Sequence, residues 1–533
     1  MKHRSRTDYA QIYAGDRQGF NLGLDSAIYL RKEATPRVFN APRIGTQGES
    51  IGDTSASTDI SGGTNDSLKI DVDGIGDVTA TIASLVGLST GDLIAAALET
   101  AINNALISAG YDNRVWVYFD SADDHYEVYS QFTGSSTSVV ITAAAANDVA
   151  ADLLLGVANS GTEAVGTDDQ DFLLYTTGGP TFNQPVESNT HRNGRFHAGI
   201  IKQKKVAEYS LQTFINMSGD AGDSLDTAVR LLWEQLLGTE TVVSSTSIKH
   251  TQGLPNFYNS LVRVSTIFGE YYTGSYVREN TVTFPGDGPA TCDWSGKAAN
   301  RVIAGIAQIA SAVVASANVI VDPDLTDRYD EGAYVMIVDP DGRTILAGAD
   351  GSLKIDSITA ATDTLTLNSA VSVAEDGFVV PWNPGAVQQT ARDNIYTDLE
   401  GSFKMKSAGS DICITNLVLT FNNNHNDLDN CFGADANRGF VAGERLDINY
   451  AVTFDLSNDN FADVVQASKF EGYDPVITLG ATSGRYLKID VSKWIPAVPP
   501  LEVPESGPTP TTLEGMCYES SPGSKDPIVV GWY

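Results

Sequence analysis

The chain has 533 residues, of which 67 are acidic and 34 basic, and its formal net charge is −33. This length exceeds what one hydrophobic core supports, so several domains are expected. The acidic balance leaves no net basic domain to neutralise phosphates, which argues against stable nucleic-acid binding. Only 19% of the residues are charged, whereas glycine (49 residues) and small or β-branched residues are abundant. This composition predicts a mainly β protein of the α+β type, built from short strands and glycine-marked turns.

The cysteines and the apolar runs exclude further classes. Cys292, Cys413, Cys431 and Cys517 form neither a CxxC pair nor a cluster with histidine, so no zinc site or disulfide scaffold is predicted. No apolar stretch follows the basic residues at the N-terminus, so no signal peptide is expected. The run 302–321 is rich in alanine and interrupted by polar residues, and we interpret it as a buried helix or strand, not a membrane span.

Most of the negative charge lies in two segments. Residues 51–175 contain 19 acidic and 2 basic residues, and residues 303–386 contain 12 acidic and 3 basic residues. Their net charges are therefore −17 and −9, which leaves −7 for the rest of the chain. We interpret both segments as solvated insertions into a less charged core.

The first acidic segment predicts a compact α/β unit. A helix is expected to open at Ser89, with Asp92 completing a capping-box-like start, and to bury Ile94, Leu98 and Ile102 on one face. A short helix is expected around 147–155. Strands are predicted at 67–72, 78–82, 115–119, 126–130 and 138–142. The stretches "AINNA", "VWVYFD", "YEVYS" and "LLLGV" resemble the IN-motif domains of flagellar hook-associated proteins, which also occur as insertions in phage tail proteins.

The second acidic segment predicts a small β-barrel or sandwich. The stretch "GAYVMIVDPDGRTI" is typical of a hairpin whose turn is formed by residues 339–342. The stretches "SLKIDSITAATDTLTL" and "GFVVPW" predict three more strands, and strands this short favour closure into a small barrel.

The rest of the chain contains one pattern twice. The alternating stretch "AEYSLQTFINMSGD" leads into the helical stretch "SLDTAVRLLWEQLLG", and "INYAVTFDLSND" leads into "NFADVVQASKFEG". The dipeptides Thr213-Phe214 and Thr453-Phe454 lie near the middle of the two strands, and Gly238 and Gly472 end the two helices. The apolar face of the first helix is formed by Leu225, Ala228, Val229, Leu232 and Leu236, and that of the second by Phe461, Val464, Val465 and Ser468. We interpret this pattern as a duplicated strand–helix–strand unit.

These core stretches resemble the major tail tube proteins of long-tailed bacteriophages. The resemblance is carried by "LQTFINMSGDAGDSLDTAVRLLWEQLLG", "YYTGSYVRENTVTF", "CDWSGKA", "ICITNLVLTFNNN" and "RLDINYAVTFDL", and it covers about two thirds of the chain. It implies β-sandwiches with flanking helices whose inner strands join into a barrel. It also implies stacked rings around a channel through which the genome passes to the host, with an acidic channel wall.

The resemblance also implies partners and a location. The chain would assemble with itself, and the duplicated unit favours a ring of three chains with two units each over a hexamer. It would also contact a tape-measure protein, a tail terminator and distal tail or baseplate proteins. DNA would pass without specific binding, no membrane insertion is expected, and the protein would be found in the virion and, during assembly, in the host cytoplasm.

The predicted organisation has five parts. They are the N-terminal part of the tube domain (1–65), the IN-motif-like insertion (66–168), the first tube unit (169–302), the small β-barrel insertion (303–386) and the second tube unit with a C-terminal arm (387–533). Both insertions are expected on the outside of the tube and dispensable for its assembly, because each is long enough to bury a core of its own.

Candidate chemistry is sparse. The stretch "GDSLD" at 222–226 matches the signature of a family of serine esterases, with Ser224 as nucleophile, but no histidine has an aspartate three residues before it. Capping of the helix that follows explains Asp223 and Ser224 without catalysis. The acidic turns "DVDGIGD", "DPDLTD" and "NNNHNDLDN" lack the ligand order of a calcium loop.

The sequence therefore predicts no catalytic, cofactor-binding or metal site, and no enzyme. The basic stretch 192–205 is too short for a nucleic-acid footprint, and an acidic face of a neighbouring subunit suits it better. Two alternatives remain, a flagellar-hook-like or other filament-forming surface protein and an esterase. The first would require long heptad helices at the termini, and 1–20 and 511–533 do not contain them.

Overall fold

A computed structural model of the chain is mainly β and contains several antiparallel sheets. It describes residues 3–4, 27–42, 46–111, 115–121, 123–133, 137–167, 171–173, 175–183, 186–188, 192–193, 196–197, 200–202, 206–215, 227–243, 247–255, 257–265, 267–342, 344–383, 401–428, 440–441, 446–457, 464–465, 469, 472–482, 485–499, 509–521, 524 and 526–533. Within these residues neither α-helix combines the length and the apolar character that crossing a bilayer requires.

The α-helices whose bounds lie within the described residues are α1 (Gly91–Ser108) and α2 (Thr227–Leu237). The strands of the first third are β1 (His3–Arg4), β2 (Ala27–Lys32), β3 (Gln47–Ile51), β4 (Ser67–Val72), β5 (Val78–Thr81), β6 (Val115–Asp120), β7 (His125–Thr133), β8 (Val139–Thr142), β9 (Thr162–Ala164), β10 (Phe172–Leu173) and β11 (Thr177–Asn183). Those of the middle third are β12 (Val186–Ser188), β13 (Arg192–Asn193), β14 (Phe196–His197), β15 (Ile200–Lys202), β16 (Val206–Phe214), β17 (Gly238–Val243), β18 (Ser247–Gln252), β19 (Asn259–Val264), β20 (Gly269–Pro285), β21 (Thr291–Ala298), β22 (Asn300–Ala304), β23 (Ala307–Gln308), β24 (Val313–Ile320), β25 (Val335–Val338) and β26 (Thr344–Ala347). Those of the last third are β27 (Ile355–Thr359), β28 (Thr364–Val373), β29 (Phe378–Pro381), β30 (Gly401–Lys404), β31 (Asn416–Asn422), β32 (Asn426–Asp427), β33 (Phe440–Val441), β34 (Asp447–Asp455), β35 (Val476–Thr482), β36 (Arg485–Val491), β37 (Lys493–Pro496), β38 (Pro510–Tyr518) and β39 (Ile528–Trp532).

The largest sheet is organised around the long strand β20. The N-terminal part of β20 pairs with β19 and β22, and its C-terminal part pairs with β21 and β31. Followed through the C-terminal part, the strand order is β11-β16-β21-β20-β31-β34-β38-β37. Every pair in this order is antiparallel.

A second sheet and helix α2 cover one face of this large sheet. The second sheet has the order β17-β18-β39-β36-β35-β30, so the hairpin that follows α2 and a hairpin from the C-terminal region meet on either side of β39. Helix α2 buries the apolar face predicted for its described residues, and Gly238 follows it with a φ of 96°. Trp233 of this helix lies edge-on to Trp294, Phe421 and Trp532, so one side chain joins both sheets and both halves of the chain.

The first acidic segment forms a unit with its own core. Strands β4 to β8 and helix α1 lie where the sequence predicts them. Two local predictions are wrong. Thr90, not Ser89, is the N-cap of α1, because its side chain accepts the hydrogen bond from Leu93 N. Residues 147–155 contain turns in place of a short helix.

This unit starts earlier than residue 66. Strand β3 pairs with both β7 and β9, and Ala56 and Ile60 belong to the unit's hydrophobic core. At its ends the backbone of Thr46 exchanges two hydrogen bonds with Thr167, at 3.1 and 3.2 Å. All the buried residues of the unit's hydrophobic core lie between residues 56 and 155.

The second acidic segment contains the predicted strands but has no separate core. The hairpin β25–β26 turns through residues 339–342, and β27, β28 and β29 follow. The run 302–321 contributes strands, not a helix. However, Tyr29, Val262, Val264 and Tyr271 of the large sheet pack into the core of this segment. The expectation that this segment buries a core of its own is therefore wrong.

Candidate assembly surface

The large sheet repeats one arrangement of four strands. We call β11, β16, β20 and β21 the first quartet, and β31, β34, β37 and β38 the second quartet. If the members of each quartet are numbered in chain order, their order across the sheet is 1-2-4-3 in both. In each quartet a two-stranded hairpin of the other sheet, β17–β18 or β35–β36, lies in the chain between the second and third members.

Equivalent residues occupy equivalent register positions in the two quartets. Tyr209 lies opposite Pro180 and Gly296, and Tyr450 lies opposite Leu419 and Gly515. Next across the sheet, Gly296 lies opposite Val277 and Gly515 lies opposite Pro496. Both tyrosines are buried, and burial raises the pKa of each phenol well above its ordinary value.

The repeated Thr-Phe dipeptide does not mark equivalent positions. In the register fixed by the tyrosines, Thr213 corresponds to Phe454, and both of these side chains are buried. Phe214 and Thr453 lie on the opposite face, where they are only partly buried. Aligning the two dipeptides therefore gives a register that differs by one residue from the register of the structure. Because side chains alternate between the two faces of a strand, a shift of one residue places equivalent letters on opposite faces. Val464 and Val465 are helical, and the other residues of the second predicted helix that carry its apolar face lie outside the described residues.

The two quartets meet at the pair β20–β31. Seven residue pairs join these strands, from Glu279 opposite Asn422 to Pro285 opposite Asn416, and a bulge in β20 precedes Glu279. The core side of this joint is closed by buried apolar side chains, namely Val282, Phe284, Leu417, Leu419 and Phe421. In this joint the third member of one quartet therefore binds the first member of the next.

The same two kinds of strand lie at the two ends of the order β11-β16-β21-β20-β31-β34-β38-β37. Among the described strands, β11 pairs only with β16 and β37 only with β38, and Trp494 of β37 also exchanges two backbone hydrogen bonds with Tyr473, at 2.7 and 2.8 Å. Strand β11 is a first member and β37 is a third member. An open strand edge presents unpaired N–H and C=O groups that bind another strand readily.

The face of the large sheet that points away from the core is polar. Its hydroxyl and amide groups hydrogen-bond across strands, as between Gln212 and Asp293 at 2.8 Å and between Thr453 and Thr512 at 2.9 Å. The ammonium of Lys297 lies 3.9 Å from the carboxylate of Glu208. The carboxylates on this face are Glu208, Glu279, Asp293, Asp447, Asp455 and Glu514, and the cations are Lys297, Lys493 and, at the bulge of β20, Arg278. Carboxylates therefore outnumber cationic groups on a wettable surface.

The structure does not describe the residues of the esterase-like stretch that would carry catalysis. Asp223 and Ser224 lie outside the described residues, and α2 begins at Thr227. His250 is fully buried, and its Nε2 lies 3.1 Å from Glu240, which also accepts two hydrogen bonds from the Arg230 guanidinium. This network joins α2, β17 and β18 below the surface. In the basic stretch 192–205 the structure describes only backbone, which forms short antiparallel pairs.

The acidic turns do not gather metal ligands within the described residues. In "DVDGIGD" the carboxylate of Asp73 accepts hydrogen bonds from Ser130 and Ser138, and that of Asp71 accepts one from Gly76. Part of "NNNHNDLDN" lies outside the described residues. A different group, Asp120, His125 and Glu127, places three possible ligand atoms within 4.8 Å of one another. The sequence analysis missed it, although counting outward from the turn between the predicted strands pairs residue 120 with residue 125.

A search of protein-family models finds none that matches this chain, and a search of curated proteins finds no match either.

Proposed function

We propose that this chain is a structural subunit that assembles into rings, and that the rings stack into a tube of the kind formed by the tail tube proteins of long-tailed phages. The observation that supports this proposal most strongly is the repeated order 1-2-4-3 of the two quartets in one continuous sheet. It is best explained by duplication of a unit that once met a second copy of itself, because the joint β20–β31 then replaces a contact between separate chains.

The ends of the sheet favour further addition in the same direction. Strand β11 of a second chain can bind beside the residues that continue β37 from Ala497, as β31 binds beside β20 from Glu279, since Glu279 and Ala497 occupy equivalent positions in the two quartets. Such a contact is head-to-tail, and it produces a ring when the rotation closes. Closure also removes the open edges of the sheet, as in any β-barrel. Three chains would then supply six quartets.

The polar face supports a water-filled channel. In a ring closed through these edges, the apolar core and the second sheet lie on one side of the barrel wall, and the polar face lies on the other. A channel lined by hydroxyl, amide and carboxylate groups repels DNA phosphates and lets DNA pass without binding. In this proposal the other partners are those of a tail: a tape-measure protein, a terminator and a distal or baseplate protein, in the virion.

Electron microscopy of the purified full-length protein tests the proposal. The expected result is rings or tubes whose averaged images show three chains per ring with six similar lobes. A monomer that forms neither rings nor tubes at any protein or salt concentration, and also fails to assemble with the other tail proteins of its genome, would overturn it. An assay with chromogenic esters addresses the enzyme alternative, for which no turnover is expected.

A further inference from the structure

A group of possible metal ligands lies at the end of the β6–β7 hairpin, in the first acidic unit. Asp120 and His125 are directly paired across the hairpin, and Glu127 is two residues farther along β7 and therefore on the same face. The ligand atoms of the three side chains lie within 4.8 Å of one another. The position follows from the strand register alone, since a four-residue turn brings residue 120 opposite residue 125.

The imidazole of His125 has an unused coordination function. The residue is 9% exposed, its Nε2 lies 3.2 Å from Glu127 Oε1, and its Nδ1 is buried with no hydrogen-bond partner in the described structure. A neutral imidazole has one N–H and one lone pair, so a single partner leaves one of these functions unmet. Coordination of a cation through one ring nitrogen uses that lone pair, and the carboxylate of Glu127 lies close enough to be a second ligand.

The surroundings favour a cation. Tyr129 Oη donates to Glu127 Oε2 at 3.2 Å, and Glu49 lies opposite Tyr129 on the same face of the sheet. Lys69 is the one described lysine or arginine between residues 51 and 175, and its ammonium lies 2.6 Å from Asp77 instead.

We propose that Asp120, His125 and Glu127 bind one divalent transition-metal ion, with Zn²⁺ as the best-suited probe. One imidazole and two carboxylates match the ligands of Zn²⁺ and Mn²⁺, whereas Ca²⁺ and Mg²⁺ prefer sites made of oxygen alone. The ion would fasten the end of the hairpin, where the turn residue Asp124 has a φ of 52°. This inference does not depend on the proposed tube, because the site lies within a unit that has its own core.

Isothermal titration of the full-length, chelator-treated protein with Zn²⁺ tests the inference. The expected result is one site per chain that binds Zn²⁺ at least about tenfold more tightly than Ca²⁺. Glu127→Gln and His125→Gln are each expected to weaken binding by about tenfold or more. The matched control is Asp123→Asn, which removes an exposed carboxylate from the same turn and should leave the affinity unchanged.

A second measurement keeps the inference testable if a variant fails to fold. Pulsed electron paramagnetic resonance of the wild-type protein with one equivalent of Cu²⁺ should show coupling to a single imidazole. The inference is overturned if the wild type does not bind Zn²⁺, if His125→Gln folds and binds it as tightly as the wild type, or if the bound Cu²⁺ has no imidazole ligand.

Discussion

At the scale of single residues, Gly296 and Gly515 show why the two quartets share their geometry. A Cβ at Gly296 would lie 2.2 Å from the carbonyl oxygen of Tyr276 and 2.3 Å from the ring of Tyr209. A Cβ at Gly515 would lie 2.1 Å from the carbonyl oxygen of Ile495. In both quartets the fourth strand must therefore pass close to the backbone of the third, and in the first quartet also close to the buried tyrosine ring, which only glycine permits.

This close approach leads to a prediction. Gly296→Ala and Gly515→Ala should each lower the free energy of unfolding by roughly 1–3 kcal/mol, because backbone and ring must move to make room. Gly288→Ala is the control, since the nearest atom to its Cβ, in Pro285, would be at an ordinary 3.6 Å. Denaturation in urea, followed by tryptophan fluorescence, measures the changes. Equal stability of all three variants would contradict the prediction.

The network of the buried His250 with the partly buried Glu240 and Arg230 predicts a dependence on pH. Burial alone would raise the pKa of Glu240, but hydrogen bonds from His250 and Arg230, together with their positive charge, outweigh burial and lower the pKa to about 2. A carboxyl whose pKa is lowered by folding stabilises the folded state above its unfolded pKa of 4.5, and this contribution disappears as the pH falls towards 2. Burial of His250 lowers the pKa of its imidazole, which also favours folding at neutral pH and opposes it in acid.

Glu240→Gln should therefore cost roughly 1–3 kcal/mol at pH 7, because it removes the charge-assisted hydrogen bonds from Arg230. The difference from the wild type should shrink between pH 4.5 and pH 2, where the wild-type carboxyl becomes protonated too. Urea denaturation across this pH range measures the difference, and Trp532 reports on it because its ring lies 5.3 Å from that of His250. Glu375→Gln, at an exposed carboxylate, should show a small and constant difference. A constant difference for Glu240→Gln as well would refute the assignment.

At the scale of elements, the sequence predicts local structure well and pairing poorly. Alternation and turn residues place β4 to β8, the β25–β26 hairpin and the apolar face of α2, because these depend on neighbours in the chain. The capping residue of α1 is missed because Ser89 and Thr90 are both good caps and only geometry decides between them. The turns at 147–155 are missed because an apolar run of this length favours a helix until its tertiary contacts are known.

Long-range pairing explains the other differences. Nothing in the local sequence of β3 indicates that it binds β7 and β9, nor does the sequence of β1 indicate β26 as its partner. The equivalence of Tyr209 and Tyr450 is likewise invisible until the strands are paired, since the more conspicuous Thr-Phe dipeptides suggest a register that is wrong by one residue. The ligand group around His125 depends on pairing as well, but across a short turn, where counting from the turn suffices.

The proposed contact between chains leads to a prediction at the level of strands. Ala497 N donates to Glu514 O at 2.7 Å, and Glu279 is paired with Ser295. Glu514 and Ser295 are equivalent residues of the two fourth strands, so Ala497 and Glu279 occupy equivalent positions. Glu279 pairs with Asn422, whose equivalent in β11 is Asn183. Asn183 of one chain and Ala497 of the next should therefore lie side by side.

The variant Asn183→Cys/Ala497→Cys, with the exposed Cys413 changed to serine, should form disulfides between chains under mild oxidation. Gel electrophoresis without reductant should show two-chain and three-chain species, with the covalently closed three-chain ring as the end point. The control pairs Ala497→Cys with Val157→Cys, an exposed position in the first acidic unit, and should remain monomeric on the gel. A ladder of cross-linked species that continues to six chains would show that the ring contains six chains and not three. If assembled rings do not cross-link, the chains meet through strand edges other than the ones proposed.

At the scale of the whole molecule, the two acidic segments differ in how they are joined to the rest. The first unit has its own core and a pair of ends, Thr46 and Thr167, that hydrogen-bond to each other. The second segment shares its core with Tyr29, Val262, Val264 and Tyr271 of the large sheet. Two contacts show how closely the segment is joined to the rest of the chain. The rings of Phe39 and Tyr334 stack at 4.0 Å, and Tyr271 Oη donates a hydrogen bond to the backbone oxygen of Trp382 at 2.8 Å.

Removal of each segment should therefore have opposite results. Replacing residues 47–166 by a few glycines that join Thr46 to Thr167 should leave a folded protein that still forms rings, because the cut crosses no hydrophobic core and the ends are already adjacent. Replacing residues 305–382 in the same way should give an insoluble or unfolded protein, because it uncovers two buried tyrosines and two valines of the large sheet at once.

A third variant, which lacks 66–168, tests where the first unit begins: before β3, as in the structure, or at residue 66, as the sequence predicts. It keeps β3 but removes both of its partners, so it should aggregate where the 47–166 variant does not. Solubility, circular dichroism and electron microscopy of the three proteins decide the matter. If the 47–166 variant folds but forms no rings, the first unit takes part in the contacts between chains and does not lie outside the tube. If the 305–382 variant folds and assembles, the shared core is not required by the large sheet.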